Sequence, residues 1–383
     1  MPTTATKKNS TSTTQAQLLC KELLAPLQRV IGLVERRQTM PILSNVLVRI
    51  NGHQLAITGT DLEVELLGYQ TLRQDVGNLE FTVSAKKLLD ICRSLPEESF
   101  LSITLSNHAL QLSCGDSVFS LQTLPVADFP SSENDKAILE LTLPQKTLKQ
   151  LIQKTSFAMA QQDVRFYLNG LFLDLNETTL KAVTTDGHRL AFDQETLKEP
   201  IRQRTKIILP RKGVLELSKL LELNEEPVAI SISKNHFNAK TKTFSFSSEL
   251  IEGVYPDYAQ VIPKNKTCTV KIDRALLKQA LIRTAILASD QHRGVSLAFS
   301  NERLCLTLNN GERESYEEKI PVELSPKNAS LTVGLNLHYI NDVINVVEST
   351  QIIFHINNEQ SGVLLEADAQ KNNTIYVIMP MKI

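Results

Sequence analysis

The sequence predicts an α+β protein of three similar domains, each with an antiparallel sheet and two helices. Three observations carry this prediction. Stretches with apolar residues at helical spacing come in pairs, stretches with period-2 alternation lie between and after them, and the whole set returns about every 125 residues. So long a period is not a solenoid repeat; each copy has the length of a domain with its own core.

Taken in order, the opening MPTTATKKNSTSTTQ is rich in Thr, Ser and Lys, with no apolar stretch. It predicts a solvated, disordered tail over 1–15 and is no secretory signal. KELLAPLQRVIGLV from Lys21 places Leu23, Leu24, Leu27, Val30, Ile31 and Val34 on one helical face. NVLVRI and LAITGTDLEVEL then read as strands joined at Asn51-Gly52, and AKKLLDICRS from Ala85 is the second helix. The second copy runs through QKTLKQLIQKTSF from Gln145, the strands LNGLFLDL and LKAVTTDGHRLAF, and RKGVLELSKLL from Arg211. The third has DRALLKQALIRTAIL from Asp273, VSLAF and LCLTLNN with a turn at Asn310-Gly311, and NLHYINDVINVV from Asn336. VADFP near 128 is echoed by VYPDY near 256. The expected division is 16–138, 139–267 and 268–383.

Composition narrows the function. Of 383 residues 42% are hydrophobic and 22% charged, and 41 Lys and Arg against 42 Asp and Glu leave a net charge of -1. Any nucleic-acid role must therefore rest on a local patch. Cys20, Cys92, Cys114, Cys268 and Cys305 share no metal-type spacing and fit reduced thiols of a cytoplasmic protein. No apolar run has the length of a membrane span. No phosphate loop, zinc-protease motif or nucleophile elbow occurs, so no catalytic site, metal or cofactor is expected.

Positive charge gathers on the six helical stretches. Lys86, Lys87, Arg211 and Lys212 sit in first turns, the wrong end for a cation facing the helix dipole. Solvated helix formers explain part of this. Helix starts that face phosphates explain the placement. TTDGHRLAF (184–192) brings Asp186, His188 and Arg189 within four residues. An acid–base pair of a hydrolase, a plain Asp-Gly hairpin turn and a binding turn are the three readings.

RRQTMPILSNVLV (36–48), GTDLEVEL (59–66), AQQDVRFYLNGLF (160–172), TTDGHRLAF (184–192), PRKGVLEL (210–217), VYPDY (254–258) and YVIMPMKI (376–383) resemble the bacterial sliding clamps, the β subunit of DNA polymerase III. The resemblance spans about residues 16 to 383. It implies a DNA-clamp fold in which two chains join head to tail as a homodimeric ring around duplex DNA. Such a processivity factor tethers the polymerase III catalytic subunit in the holoenzyme during DNA replication, and is not itself an enzyme. It implies DNA contacts at Arg37, Arg93, Gln162, Tyr167 and Lys212, to which the charge argument adds Lys86, Lys87 and Arg211. It implies a cleft for short peptide motifs of the polymerase, the clamp-loader complex, other polymerases and repair proteins. The cleft residues carried over are Leu168, Thr185, Gly187, His188, Arg189, Leu190, Pro256, Val261, Val377, Ile378, Met379, Pro380 and Met381. It implies a dimer interface of Ile286 and Leu287 against Phe119, Leu121, Ile91 and Leu95. Gln161 and Gln260 stand where members often have His or a basic residue. NGERESYEEK (310–319) keeps an acidic partner for the interface, but SCGDSVFSL (113–121) lacks the basic residues often opposite it and carries Asp116. A repeat-built interaction scaffold without DNA is the alternative.

Overall fold

The computed structural model describes residues 14–34, 40–106, 109–130, 135–289, 293–368 and 373–383. The tail expected over 1–15 lies outside these except for its last two residues, which begin a strand.

Each third follows one order: strand, helix, four strands, helix, three strands. The first is β1 (Thr14–Leu19), α1 (Cys20–Val30), β2 (Asn45–Asn51), β3 (Gln54–Thr60), β4 (Val64–Thr71), β5 (Asn78–Ser84), α2 (Ala85–Ser94), β6 (Phe100–Ser106), β7 (Ala109–Cys114) and β8 (Ser117–Gln122). The second is β9 (Leu139–Pro144), α3 (Gln145–Thr155), β10 (Gly170–Asn176), β11 (Thr179–Thr185), β12 (Arg189–Thr196), β13 (Thr205–Pro210), α4 (Arg211–Leu220), β14 (Pro227–Ile232), β15 (His236–Lys240) and β16 (Phe244–Glu249). The third is β17 (Cys268–Asp273), α5 (Arg274–Thr284), β18 (Gly294–Ser300), β19 (Arg303–Asn309), β20 (Ser315–Pro321), a short added β21 (Glu323–Ser325), β22 (Leu331–Asn336), α6 (Leu337–Val346), β23 (Gln351–Ile356), β24 (Val363–Ala367) and β25 (Ile375–Ile378).

The periodicity places one sheet in each repeat; the structure divides the strands of each repeat between two sheets. Their orders are β1-β6-β7-β8, β5-β2-β3-β4-β16-β15-β14-β9, β13-β10-β11-β12-β25-β24-β23-β17-β21 and β20-β19-β18-β22. The last strand of the second repeat thus pairs with β4 of the first, and the last strand of the third pairs with β12 of the second. Compactness follows these junctions. One unit comprises Met1–Leu143 with Glu226–Glu249, the other Pro144–Glu225 with Leu250–Ile383.

The helices each bury one face against the sheets, and α5 also leaves Leu276 and Ile282 exposed. α2 buries Ala85, Leu88, Leu89, Ile91 and Cys92 and leaves Lys86, Lys87, Asp90 and Arg93 exposed. Asp273 caps α5 through the Leu276 amide and Asn336 caps α6 through the His338 amide. α2, α3 and α4 follow Ser84, Pro144 and Pro210 and have no side-chain cap. α1 meets β4 so closely that a Cβ on Gly68 would lie 2.6 Å from the Pro26 carbonyl oxygen. Among the described residues no helix is long and apolar enough to cross a membrane, and no group of metal-ligating side chains occurs. The five cysteines are free thiols.

Candidate functional site

The turn Thr185–Arg189 joins β11 to β12 and is built by its own side chains. Asp186 Oδ1 accepts the His188 and Arg189 amides at 2.9 and 3.0 Å, and Thr185 Oγ1 donates to the Arg189 carbonyl at 2.6 Å. Gly187 supplies the left-handed step, with φ at +91°. Its Cα hydrogens face Arg165, whose Nη2 reaches the Asp186 carbonyl at 3.3 Å. Arg165 also grips Asp163 and holds its carboxyl at about 2. This arrangement rules out the hydrolase pair. Asp186 directs its carboxylate at backbone amides and at Arg189 Nε (3.0 Å), not at the His188 ring.

Arg189, carried over as a cleft residue, is committed to the fold. Nη1 meets Asp342 on α6, Nη2 donates to the Phe157 carbonyl at 2.7 Å, and the guanidinium lies 4.3 Å from the Tyr339 ring centre. It fastens the turn to α6 and to the segment after α3.

Beside the turn runs the chain end. β25 pairs with β12, Leu190 opposite Val377 and Arg189 opposite Ile378. The Met379 amide then donates to the His188 carbonyl at 2.8 Å, and the Met381 amide to the Gly334 carbonyl at 2.9 Å. Leu168, Leu190 and Val377 join Phe172, Val183, Tyr255 and Leu364 in one buried cluster. Tyr255 stacks on Phe172 with ring centres 4.7 Å apart. Ile378, pointing the other way, belongs to the core beneath α5 and α6. Around this floor Gly187, His188, Pro256, Val261 and Met381 are exposed, and Met379 and Pro380 are half-buried. Phe166, exposed and packed against Gly253, and Val254, at 87% exposure, extend the apolar rim. Sequence reasoning missed Phe172, Leu364, Phe166 and Val254. Alternation along β10 marks Phe172 as facing one side, but only pairing shows that this is the side of Val377.

The first unit holds a counterpart. A depression of about 260 Å³ lies on the face of the eight-stranded sheet, lined by residues that include Thr58, Glu65, Asn238, Ser247 and Phe129.

The six helices carry fourteen Lys and Arg against four acids. Many are engaged within the chain. Lys21 pairs with Glu98, Lys146 with Glu225, Lys154 with Asp193 and Lys219 with Glu216. Arg211 Nη1 donates to the Met159 carbonyl at 3.1 Å, so one of the four first-turn cations serves the fold. Lys212 lies with Lys149 and Lys219 along an open groove of about 340 Å³ between α3 and α4. Lys86, Lys87 and Arg93 are exposed and have no ion-pair or hydrogen-bond partner among the described residues. Gln162 is exposed with φ at +56°, and Tyr167 is half-buried against the apolar floor. Arg37 lies outside the described residues.

β8 and β20 are edge strands of their four-stranded sheets, at the ends opposite β1 and β22. Phe119, Leu121, Leu95 and Leu287 are half-buried, Ile91 is buried on the inner face of α2, and Ile286 is 76% exposed. α5 ends at Thr284, so Ile286 and Leu287 stand on the tight turn after the helix, not on its outer face.

Models of the DNA polymerase III beta subunit match the chain in three parts: the N-terminal domain over 17–133, the central domain over 142–257 and the C-terminal domain over 259–382. The beta sliding clamp of Pseudomonas aeruginosa is 44% identical over 361 residues, 94% of this chain and 98% of that protein. The Escherichia coli K12 clamp is 40% identical over 363 residues, 95% and 98% of the two chains. The crystal structure of the P. aeruginosa DNA polymerase III subunit beta superposes with a TM-score of 0.92 at 42% identity, over 96% of this chain and all of that one. The same organism's clamp bound to griselimycin also gives 0.92, at 43% identity, over 96% and 99% of the two chains. The chain belongs to the DNA polymerase III beta subunit family, the bacterial sliding clamps.

Proposed function

We propose that this sliding clamp closes as a ring of two copies through β8 of one and β20 of the other. One observation carries the reading. Within the chain, β4 pairs with β16, the last strand of the next repeat, and β12 pairs with β25, the last strand of the repeat after that. β20 is the third repeat's counterpart of β4 and β12, β8 is the first repeat's counterpart of β16 and β25, and both are open edges. An exposed edge is a template for another strand, and one heterologous junction made twice closes a two-fold ring. Ile286, Leu287, Phe119, Leu121, Ile91 and Leu95 belong to this junction. Replacing Ile286 and Leu287 with Ala is expected to give folded monomers, since each packed large-to-small change costs about 2–5 kcal/mol. Analytical ultracentrifugation with circular dichroism reads the outcome; a folded double variant still dimeric at about nanomolar concentration removes the junction.

The clamp holds duplex DNA by encirclement, so its charge has only to attract phosphates without regard to sequence. α2 with Lys86, Lys87 and Arg93, and the groove holding Lys212, are the surfaces proposed for this, with Arg37, Gln162, Tyr167 and Arg211 beside them. Changing Lys86, Lys87, Arg211 and Lys212 to Ser is expected to lower DNA-dependent processivity in a salt-sensitive way. The apolar floor and rim around Leu190, Val377 and Met379 are proposed to take the peptide motifs of the polymerase, the clamp loader and repair proteins. Arg189 supports that cleft from behind. The clamp has no catalytic site of its own. We place it in the cytoplasm, divided as 16–138, 139–267 and 268–383.

A further inference from the structure

The two edges that the ring reading joins carry different charge. β8 reads SVFSLQ, with no charged residue, and Asp116 precedes it. β20 reads SYEEKIP. The junction inside the chain sets the register: Leu66 lies opposite Phe246 and Leu67 opposite Ser245. The pairs Ala56 with Tyr69 and Cys305 with Lys319 align β4 with β20, and the pairs Ala239 with Phe246 and Leu112 with Phe119 align β16 with β8. By that alignment Tyr316 faces Phe119 of a second copy, Glu317 faces Val118 and Glu318 faces Ser117. No cation stands opposite either carboxylate.

Both carboxylates are already satisfied. Arg283 on α5 holds Glu318 with two bonds, Nε to Oε2 at 2.9 Å and Nη2 to Oε1 at 2.6 Å, and the Tyr316 hydroxyl donates to the same carboxylate. Lys319 meets Glu317 at 2.9 Å. The bidentate Arg283 fork keeps the Glu318 carboxyl below the usual range. The large apolar residues exposed at the junction are Val118, Ile282 and Ile286, beside the self-paired Glu317 and Lys319.

We infer that β20 is neutralised within its own chain, so that two copies associate through backbone hydrogen bonds and apolar contact, with no ion pair across the seam. This rests on the ring reading. It departs from the resemblance, which anticipates basic residues facing the acidic strand. Its consequence is a ring whose closure ignores ionic strength, in contrast to its grip on DNA. Glu318 without Arg283 would sit unpaired, opposite a strand that carries no charged residue and is preceded by Asp116.

Sedimentation equilibrium of the full chain at about 0.1 and 1 M sodium chloride tests this, since the Debye length falls from about 10 to about 3 Å across that range. The dimer dissociation constant is expected to change by less than about threefold. Arg283→Gln is expected to weaken the dimer about tenfold at the lower salt, with much of the loss recovered at the higher. Arg283→Lys, which keeps the charge, is expected to stay close to the parent. A parent dimer that weakens tenfold or more with salt overturns the inference. So does a folded Arg283→Gln protein with the parent's constant at both salts. A chain monomeric at micromolar concentration in both salts instead overturns the ring reading itself.

Discussion

Where the second unit presents Leu190, the first presents Glu65. Where the second presents Val183, Leu364, Ile375 and Val377, the first presents Thr58, Asn238, Ser245 and Ser247. The ladders establish the equivalence: Leu190 pairs with Val377 and Val377 with Leu364, while Glu65 pairs with Ser247 and Ser247 with Asn238. The walls correspond as well, Phe129-Pro130 standing for Tyr255-Pro256. One backbone therefore makes two depressions. The first is wet, lined by hydroxyls, an amide, a carboxylate and the Arg49 guanidinium beside Leu47, Leu67 and Phe129; the second has a dry floor with an apolar rim. Sheet pairing supplies the shape of such a site, and the outward-facing residues of four strands decide whether an apolar anchor has anywhere to go.

The harshest way to break the contrast is to write one surface into the other. Leu190→Glu puts an unpaired carboxylate into the buried cluster and is expected to cost about 3–5 kcal/mol of stability. A fluorescent peptide of the Gln-Leu-x-Leu-Phe type should then bind about a hundredfold more weakly or not at all. Unchanged binding by a folded variant would move the cleft elsewhere. Next in size is removal of Met379 to Ile383, which takes away one apolar wall and leaves β25 intact. Affinity for the same peptide should fall about tenfold, or 1.4 kcal/mol, with DNA-dependent processivity falling only through the lost partners.

The dry strip ends on β24 at a charged cluster. His355 and Lys266 bracket Glu366 at 2.7 and 2.9 Å and lower its carboxyl to about 2. A depressed carboxylate contributes stability that is whole above its unfolded value and drains away as pH falls toward the folded one. Denaturant titrations should show the parent losing about 1 kcal/mol more than Glu366→Gln between pH 5 and pH 2. Equal losses would mean that the cluster adds nothing. The smallest effect comes from exchanging single groups. Val183→Thr buries a hydroxyl in an apolar cluster and should cost about 1–2 kcal/mol. Thr58→Val, at the matching buried place in the first unit, takes a hydroxyl from a polar floor and should change stability by less than about 1 kcal/mol. If the two exchanges cost the same, the difference between wet and dry floors is not real.

Much of the fold could be read in the sequence because its signals are local. The apolar faces of the six helices and the alternation of the strands lie within windows of a dozen residues, and the repeat multiplies each signal by three. Sheet membership could not be read that way. Nothing within Val64–Thr71 states that β4 pairs with a strand more than a hundred residues away. Site residues divide along the same line. Leu190, Val377 and Met379 were carried over by motif, and the structure brings them together at one surface. Arg189 and Arg211 look like surface cations in the sequence, and only the folded chain shows them bound to Asp342 and to the Met159 carbonyl. Arg283 is one more cation of a helical stretch in the sequence; its place over Glu318 depends on the return of β20 beside α5.

The mismatch between repeats and compact units bears on how the molecule can be taken apart. The middle repeat gives β14, β15 and β16 to one unit and β10 to β13 to the other, so it is the one segment that is never whole in either. A gene fragment cut at the repeat boundary near 138 leaves the edge of β4, with its run of Val64, Leu66 and Leu67, without its neighbour. One starting near 268 strips β25 of β12 and bares Val377. Such fragments would express as sticky half-sheets. Fragments meant to stand alone must instead carry 226–249 with the first repeat, a graft across sequence that the alignment of repeats would never recommend.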